Sequence, residues 1–177
     1  METKPQAENP KSSSNSASSA FDRIHLKRPC MAVADLERAL SIYRDILGFR
    51  LDYLDDASPG SYLYPVFGFP ENAKLKFAAL STESEPRSLA LTEVKGIELP
   101  PPTTPHRAAI VIQVPEVAPA IAKIRELGLP VVRESTFTAP PNLRFTEQAF
   151  CDYDGHLIVL YDVKIDEHGE RGMGNGE

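Results

Sequence analysis

The feature that most constrains this chain is that it repeats one supersecondary unit. "MAVADLERA" (31–39) and "VIQVPEVAPA" (111–120) each join an apolar, β-prone run to a helix through a V-x-[DE] link. In "DLERALSIYRDILG" (35–48), Leu36, Ala39, Leu40, Tyr43, Ile46 and Leu47 fall on one helical face, with Asp35 as N-cap and Gly48 just past the end. In "PEVAPAIAKIRELG" (115–128), the stripe is Val117, Ala120, Ile121, Ile124 and Leu127, closed by Gly128. Pro119 must sit in that helix's first turn, where no intrahelical donor is lost. Strands are expected at 28–33, 50–54, 75–80, 89–93, 109–114, 131–134, 146–151 and 157–161. The order is β-α-β-β-β, written twice.

These boundaries divide the chain into a polar, Ser-rich tail (1–20), a first module (21–97), a Pro-rich linker (98–107), a second module (108–165) and a second tail (166–177). Both tails are expected to be disordered. The N-terminus has no apolar h-region, and no apolar stretch approaches bilayer length, so the expectation is a cytoplasmic protein with no membrane partner. The net charge of −6 leaves no basic surplus for phosphates, which counts against nucleic acid. Two cysteines, Cys30 and Cys151, have neither disulfide-framework nor metal spacing and fit a reducing compartment.

Four motifs in order, "MAVADLERALSIYRDILGF" (31–49), "LALTEVKG" (89–96), "AIVIQVPEV" (109–117) and "DYDGHLIVLYD" (152–162), resemble the signatures of the vicinal oxygen chelate superfamily, which includes glyoxalase I, extradiol dioxygenases and bleomycin-resistance proteins. The resemblance covers about residues 24–163. It implies an α+β fold, two βαβββ modules forming an eight-stranded U-shaped sheet around a cup, with helices outside. It also implies a frequent homodimer. In the metalloenzymes of that group four ligands point into the cup. Carried over one at a time, those positions hold Arg28, Ala90, Ala109 and Val159. Arg is permanently protonated, and Ala and Val have no side-chain lone pair, so no metal and no other cofactor is expected. The arginine by which family members recognise glutathione is replaced by Ala32.

Strand parity tests this register. If the four positions face the cup, the residues between them must be apolar. Pro29, Met31, Val33, Leu89, Leu91, Ile110, Ile112, Val114, Ile158 and Leu160 all are. The expected ligand-binding residues are therefore Arg28, Cys30, Thr92, Val111, Gln113, Val159 and Tyr161. Arg28 reads either as an anion clamp or as an arginine paired at the strand mouth. Cys30 reads as a small buried hydrophobe before a nucleophile, and Thr92, Gln113 and Tyr161 either orient a ligand or satisfy one another. His25 and His106 are the residues from which a relocated metal site would be built, by parity pointing away from the cup if their strands extend that far. His156 is expected to be exposed, His168 belongs to the tail, and Glu93 is expected to face outward. The aromatic stretch 61–77 is either a lid, a dimer contact or a loop packed on its own core.

The expected function is binding of a small organic molecule, in one reading an anion. The alternatives are a metal-dependent lyase or dioxygenase with relocated ligands, a metal-free enzyme using Arg28, and a non-enzymatic interaction protein.

Overall fold

The computed structural model describes residues 24–166, so the disorder expected for residues 1–20 and for the tail from 167, His168 included, lies outside it. The elements are β1 (Cys30–Val33), α1 (Leu36–Tyr43), β2 (Arg50–Asp56), α2 (Leu63–Phe67), β3 (Lys74–Ser81), β4 (Leu89–Lys95), β5 (Ile110–Gln113), α3 (Val117–Glu126), β6 (Ser135–Ala139), β7 (Leu143–Cys151) and β8 (Leu157–Ile165). They form an α+β fold of two βαβββ modules. The strands lie in two four-stranded sheets, ordered β1-β4-β3-β2 and β5-β8-β7-β6. β1 runs parallel to β4 and β5 parallel to β8, and the other pairs are antiparallel.

The helices begin where the sequence places them, for a reason partly outside the helices themselves. Asp35 accepts from the Arg38 amide at 2.9 Å, the expected N-cap bond. A second orphan donor, the Leu36 amide, is taken at 2.9 Å by Glu93 of β4. α3 has no side-chain cap from its own N-cap residue; Asp162 of β8 accepts from the Val117 amide at 2.8 Å instead. Each module thus sends a carboxylate from its last strand to the positive end of its helix. This accounts for Glu93, which faces outward as its parity requires. α1 ends at Tyr43, earlier than its apolar stripe, and the chain winds on in turns to Gly48 at φ +82°, where the Phe49 amide reaches back to the Tyr43 carbonyl at 2.9 Å.

The convex faces of both sheets, together with α1 and α3, make one core. Met31, Val33, Leu89, Leu91, Val114, Ile158 and Leu160 pack there against Leu36, Leu40, Tyr43, Val117, Ile121 and Ile124. The alternation predicted from sequence holds strand by strand. Among the described residues, polar links cross between modules: the Tyr43 hydroxyl donates to Asp152 at 2.8 Å, the Ala34 amide donates to Asp154 at 2.9 Å, and the Arg38 guanidinium reaches the same Asp154 oxygen at 3.4 Å.

Several boundaries differ from expectation. β1 and β5 begin at Cys30 and Ile110, so Arg28 and Ala109 precede their ladders; Pro29 has no amide to donate and enters only through its carbonyl, which accepts from Ala90. The strand expected at 131–134 is instead Ser135–Ala139. Val131 makes an isolated bridge to Phe150, while Ser135 pairs with Glu147, so one extra residue is accommodated in between. That is a bulge, and the side chain of Gln148 occupies the freed Val132 carbonyl at 2.9 Å. β7 and β8 are longer than expected. The aromatic stretch contains an unforeseen helix, α2, capped by Gly68 at φ +71°.

Candidate ligand-binding clefts

The concave faces of the two sheets are unlike each other. On the first, Leu75, Val94 and Ala73 are buried under Leu63, Tyr64 and Phe69 of the aromatic stretch and under Ile97 and Leu99 of the linker. The Tyr64 hydroxyl donates to the Ala73 carbonyl at 3.1 Å, and Phe67 stacks on Phe69 at 5.3 Å. This is the loop packed on its own core. The second concave face is open: Val111 is 61% exposed, and Phe137 stacks on Phe145 at 4.9 Å with Phe137 still 45% exposed.

Two clefts meet the β1 and β5 edges. The first, of about 700 Å³, has Arg28, Ser88, Val111, Gln113 and Tyr161 among its lining. The second, of about 570 Å³, has Cys30, Ala32, Phe67, His106, Ala109 and Leu157. Linker prolines Pro100–Pro102 wall the second. Four of the seven expected residues thus share the first cleft. Cys30 lines the second, with its sulfur 3.5 Å from the hydroxyl of Thr92, which is fully buried. Val159 is half-buried on β8 beside Val111.

At the four positions where the resemblance puts metal ligands, the donor set does not fit a divalent cation. Ala90, Ala109 and Val159 offer no donor atom. Arg28 donates through Nη1 to the Arg87 carbonyl at 3.2 Å, and its guanidinium lies 5.7 Å from the Phe77 ring centroid. His106 places Nε2 3.5 Å from the Cys151 sulfur; β5 starts only at Ile110, so strand parity never governed this histidine. Among the described residues, no group of three or more His, Cys, Asp or Glu is placed to hold a metal.

Two other expected residues engage each other: the Tyr161 hydroxyl donates to Gln113 Oε1 at 3.2 Å. Cys151 has its thiol pushed up by burial and by the Asp152 charge, which makes it a poor nucleophile.

His156 corrects its expectation. It is half-buried, and Nδ1 lies 3.0 Å from Oδ2 of Asp152, whose own side chain is 2% exposed. Burial pulls the imidazole down, but the hydrogen bond and charge of Asp152 outweigh it and raise the group above its ordinary 6.5. Burial likewise pushes Asp152 up, and His156 outweighs it, holding the carboxyl below its ordinary 3.8. Tyr43 is raised far above its usual value by burial and then by Asp152, so it stays a donor.

The signs fix a pH profile. A raised histidine stabilises fully below its unfolded value and loses that contribution as pH rises through its folded one; a lowered aspartate stabilises above its unfolded value and loses it as pH falls. Urea midpoints are therefore expected to peak between about pH 4 and 6.5 and to fall on either side. His156→Gln should flatten the alkaline limb. An alkaline limb unchanged in that variant would remove His156 as its cause.

The sequence did not point to Asp152, Tyr43 or Arg87, and it placed Ser88 on the inward face without a role. Asp152 was visible only as turn chemistry, and its partner Tyr43 as one more residue of a helical stripe.

No helix among the described residues is long and apolar enough to cross a membrane. The family model of the Glyoxalase/Bleomycin resistance protein/Dioxygenase superfamily matches residues 24–160. No curated protein sequence matches significantly. Among solved structures, a glyoxalase family protein from Bacillus cereus aligns with a TM-score of 0.61 at 16% identity, covering 80% of this chain and 95% of the other. Trypanothione-dependent glyoxalase I of Leishmania major aligns at 0.54 and 20% identity, covering 82% and 88%. A glyoxylase/bleomycin resistance protein/dioxygenase domain from Frankia aligns at 0.54 and 15% identity, covering 80% and 99%. At such identities the likeness is one of fold.

Proposed function

The chain belongs to the Glyoxalase/Bleomycin resistance protein/Dioxygenase superfamily, and from that premise we propose that it binds a small organic molecule in the clefts at its β1 and β5 edges without a divalent metal. The observation that carries this reading is the donor set: Arg28, Ala90, Ala109 and Val159 occupy the four positions where the resemblance puts metal ligands, and the arginine is turned to the Arg87 carbonyl and the Phe77 ring. Cleft volumes of about 700 and 570 Å³ suit a drug-sized molecule, and apolar walls with few polar groups suit an organic one. Arg28, Val111, Gln113 and Tyr161 would contact it in the first cleft, Cys30 in the second, with Thr92 and Val159 supporting them from the strands behind.

Binding is favoured over turnover by the groups a metal-free reaction would draw on. The Tyr161 proton is directed to Gln113 and the Cys30 thiol pairs with Thr92. We place the protein in the cytoplasm and allow pairing of two copies through the open second concave face, where Val111 and Phe137 are exposed.

Elemental analysis after incubation with Ni, Zn, Fe and Mn tests the metal-free reading. The expected result is well under one equivalent of each. Stoichiometric metal that disappears in a His25→Ala, His106→Ala double variant would overturn the reading and restore a relocated metal site.

A further inference from the structure

The first concave face carries a cation that its surroundings do not neutralise. Arg28 precedes β1, whereas Phe77, the ring it lies against, is on β3 with β4 between them. The side chain therefore crosses the sheet above β4, where Ala90, fully buried, leaves it room. The guanidinium spends one donor on the Arg87 carbonyl and keeps its remaining N–H groups. Among the described residues no carboxylate lies within ion-pair distance of Arg28, whereas Arg87 lies within reach of the charge of Asp52, which shares the Ser81 hydroxyl with the Arg87 amide. A half-buried guanidinium with no counter-charge is costly, and an incoming oxyanion would relieve that cost.

The neighbourhood is built around this cation. Arg87 sits at φ +52°, an uncommon conformation for a side chain other than glycine, fixed by its amide donating to Ser81 at 2.6 Å and its carbonyl accepting from Arg28. Its own guanidinium lies 5.5 Å from the Tyr53 ring, and Tyr53 is 6.1 Å from Phe77, so two cations flank one aromatic pair. Ser88 lies two residues before Ala90 as Arg28 lies two before Cys30, its pairing partner, which puts serine and arginine side by side on the concave face. Ser88 Oγ is buried without a hydrogen-bond partner, and it lines the first cleft. Gln113 accepts from Tyr161 through its oxygen, which leaves its amide N–H groups as donors. Glu85 and Lys27 also line this cleft and offset each other in charge.

The geometry points to an oxyanion subsite in the first cleft: Arg28, with Ser88 and Gln113 as further donors, receives the carboxylate of an organic acid whose apolar body lies against Val111. This rests on the reading of the clefts as small-molecule sites and adds the chemical class of the ligand.

Calorimetry with two probes that share a ring and differ in charge, 1-naphthoate and 1-naphthylmethanol, tests it. The acid is expected to bind at least tenfold more tightly than the alcohol at low salt. Arg28→Met should bring that ratio close to one, and an unchanged urea midpoint certifies its fold. Ser88→Ala should lower acid affinity about threefold. Equal affinity of both probes for the wild type, or a ratio indifferent to Arg28→Met, would overturn the oxyanion subsite and leave small-molecule binding standing. Absence of saturable binding by either probe would overturn both.

Discussion

Asp152→Ala is expected to lower the unfolding free energy by about 3–5 kcal/mol at pH 6, the range for removing one partner of a buried ion pair. The carboxylate is 2% exposed and its two oxygens are in full use. Oδ1 accepts from the Asp154 amide at 3.0 Å and the His156 amide at 2.8 Å, which shapes the β7–β8 turn. Oδ2 accepts from Tyr43 at 2.8 Å and faces the His156 ring at 3.0 Å. Alanine would leave a fully buried phenol with only the Met31 sulfur, 3.8 Å away, and an imidazole without its counter-charge. The bond to Tyr43 also joins α1 of one module to a turn of the other, so the loss should be shared by both halves. Asp152→Asn keeps the volume and most acceptor capacity and should cost less. Equilibrium urea unfolding measures both; an alanine variant within about 1 kcal/mol of wild type would show that the network contributes little net stability.

Gly155→Ala should be the next most damaging change, by about 2–5 kcal/mol, and for two separable reasons. The residue sits at φ +83°, where a side chain costs about 1–2 kcal/mol. In addition, a Cβ there would lie 2.2 Å from Pro102 Cβ and 2.6 Å from its Cγ, so the linker would have to move, at about 1–3 kcal/mol for overpacking. Gly48→Ala is the control: φ is +82° but nothing lies within 4 Å of the added methyl, so only the conformational cost remains. A Pro102→Gly, Gly155→Ala double variant should recover the steric part. Equal losses for Gly48→Ala and Gly155→Ala would show that the linker yields freely.

What could be read from the residues was what the chain encodes locally or by period. The duplication, the helix stripes, Asp35 as a cap and the alternation of Met31, Val33, Leu89 and Leu91 all follow from spacing, because burial of one face imposes it. What could not be read depends on partners far along the chain. Tyr43 and Asp152 are 109 positions apart, and neither has a periodic signature of its role. His156 looked exposed because its neighbours are turn residues; it is half-buried because Asp152 folds back onto it. Arg28 was placed on the correct face, but whether it met an acid, a ring or a carbonyl depended on β3 and the β3–β4 turn. The displaced β6 comes from a one-residue bulge, which leaves the apolar run "LPVV" (129–132) looking like a strand.

The four boundary strands of the two sheets have a consequence for the protein's life in a crowded solution. β1 and β5 are four residues long, one preceded by Pro29 and the other followed, one residue on, by Pro115. β2 is longer, but it carries Asp52, Asp55 and Asp56 and a register break at Leu51/Tyr53. β6 is five residues long, and its hairpin to β7 passes through Pro140 and Pro141. Each is a poor template for an incoming strand, by brevity, charge, bulge or proline. The chain can therefore leave an apolar sheet face open to a ligand without offering the backbone rows from which fibrillar aggregates grow.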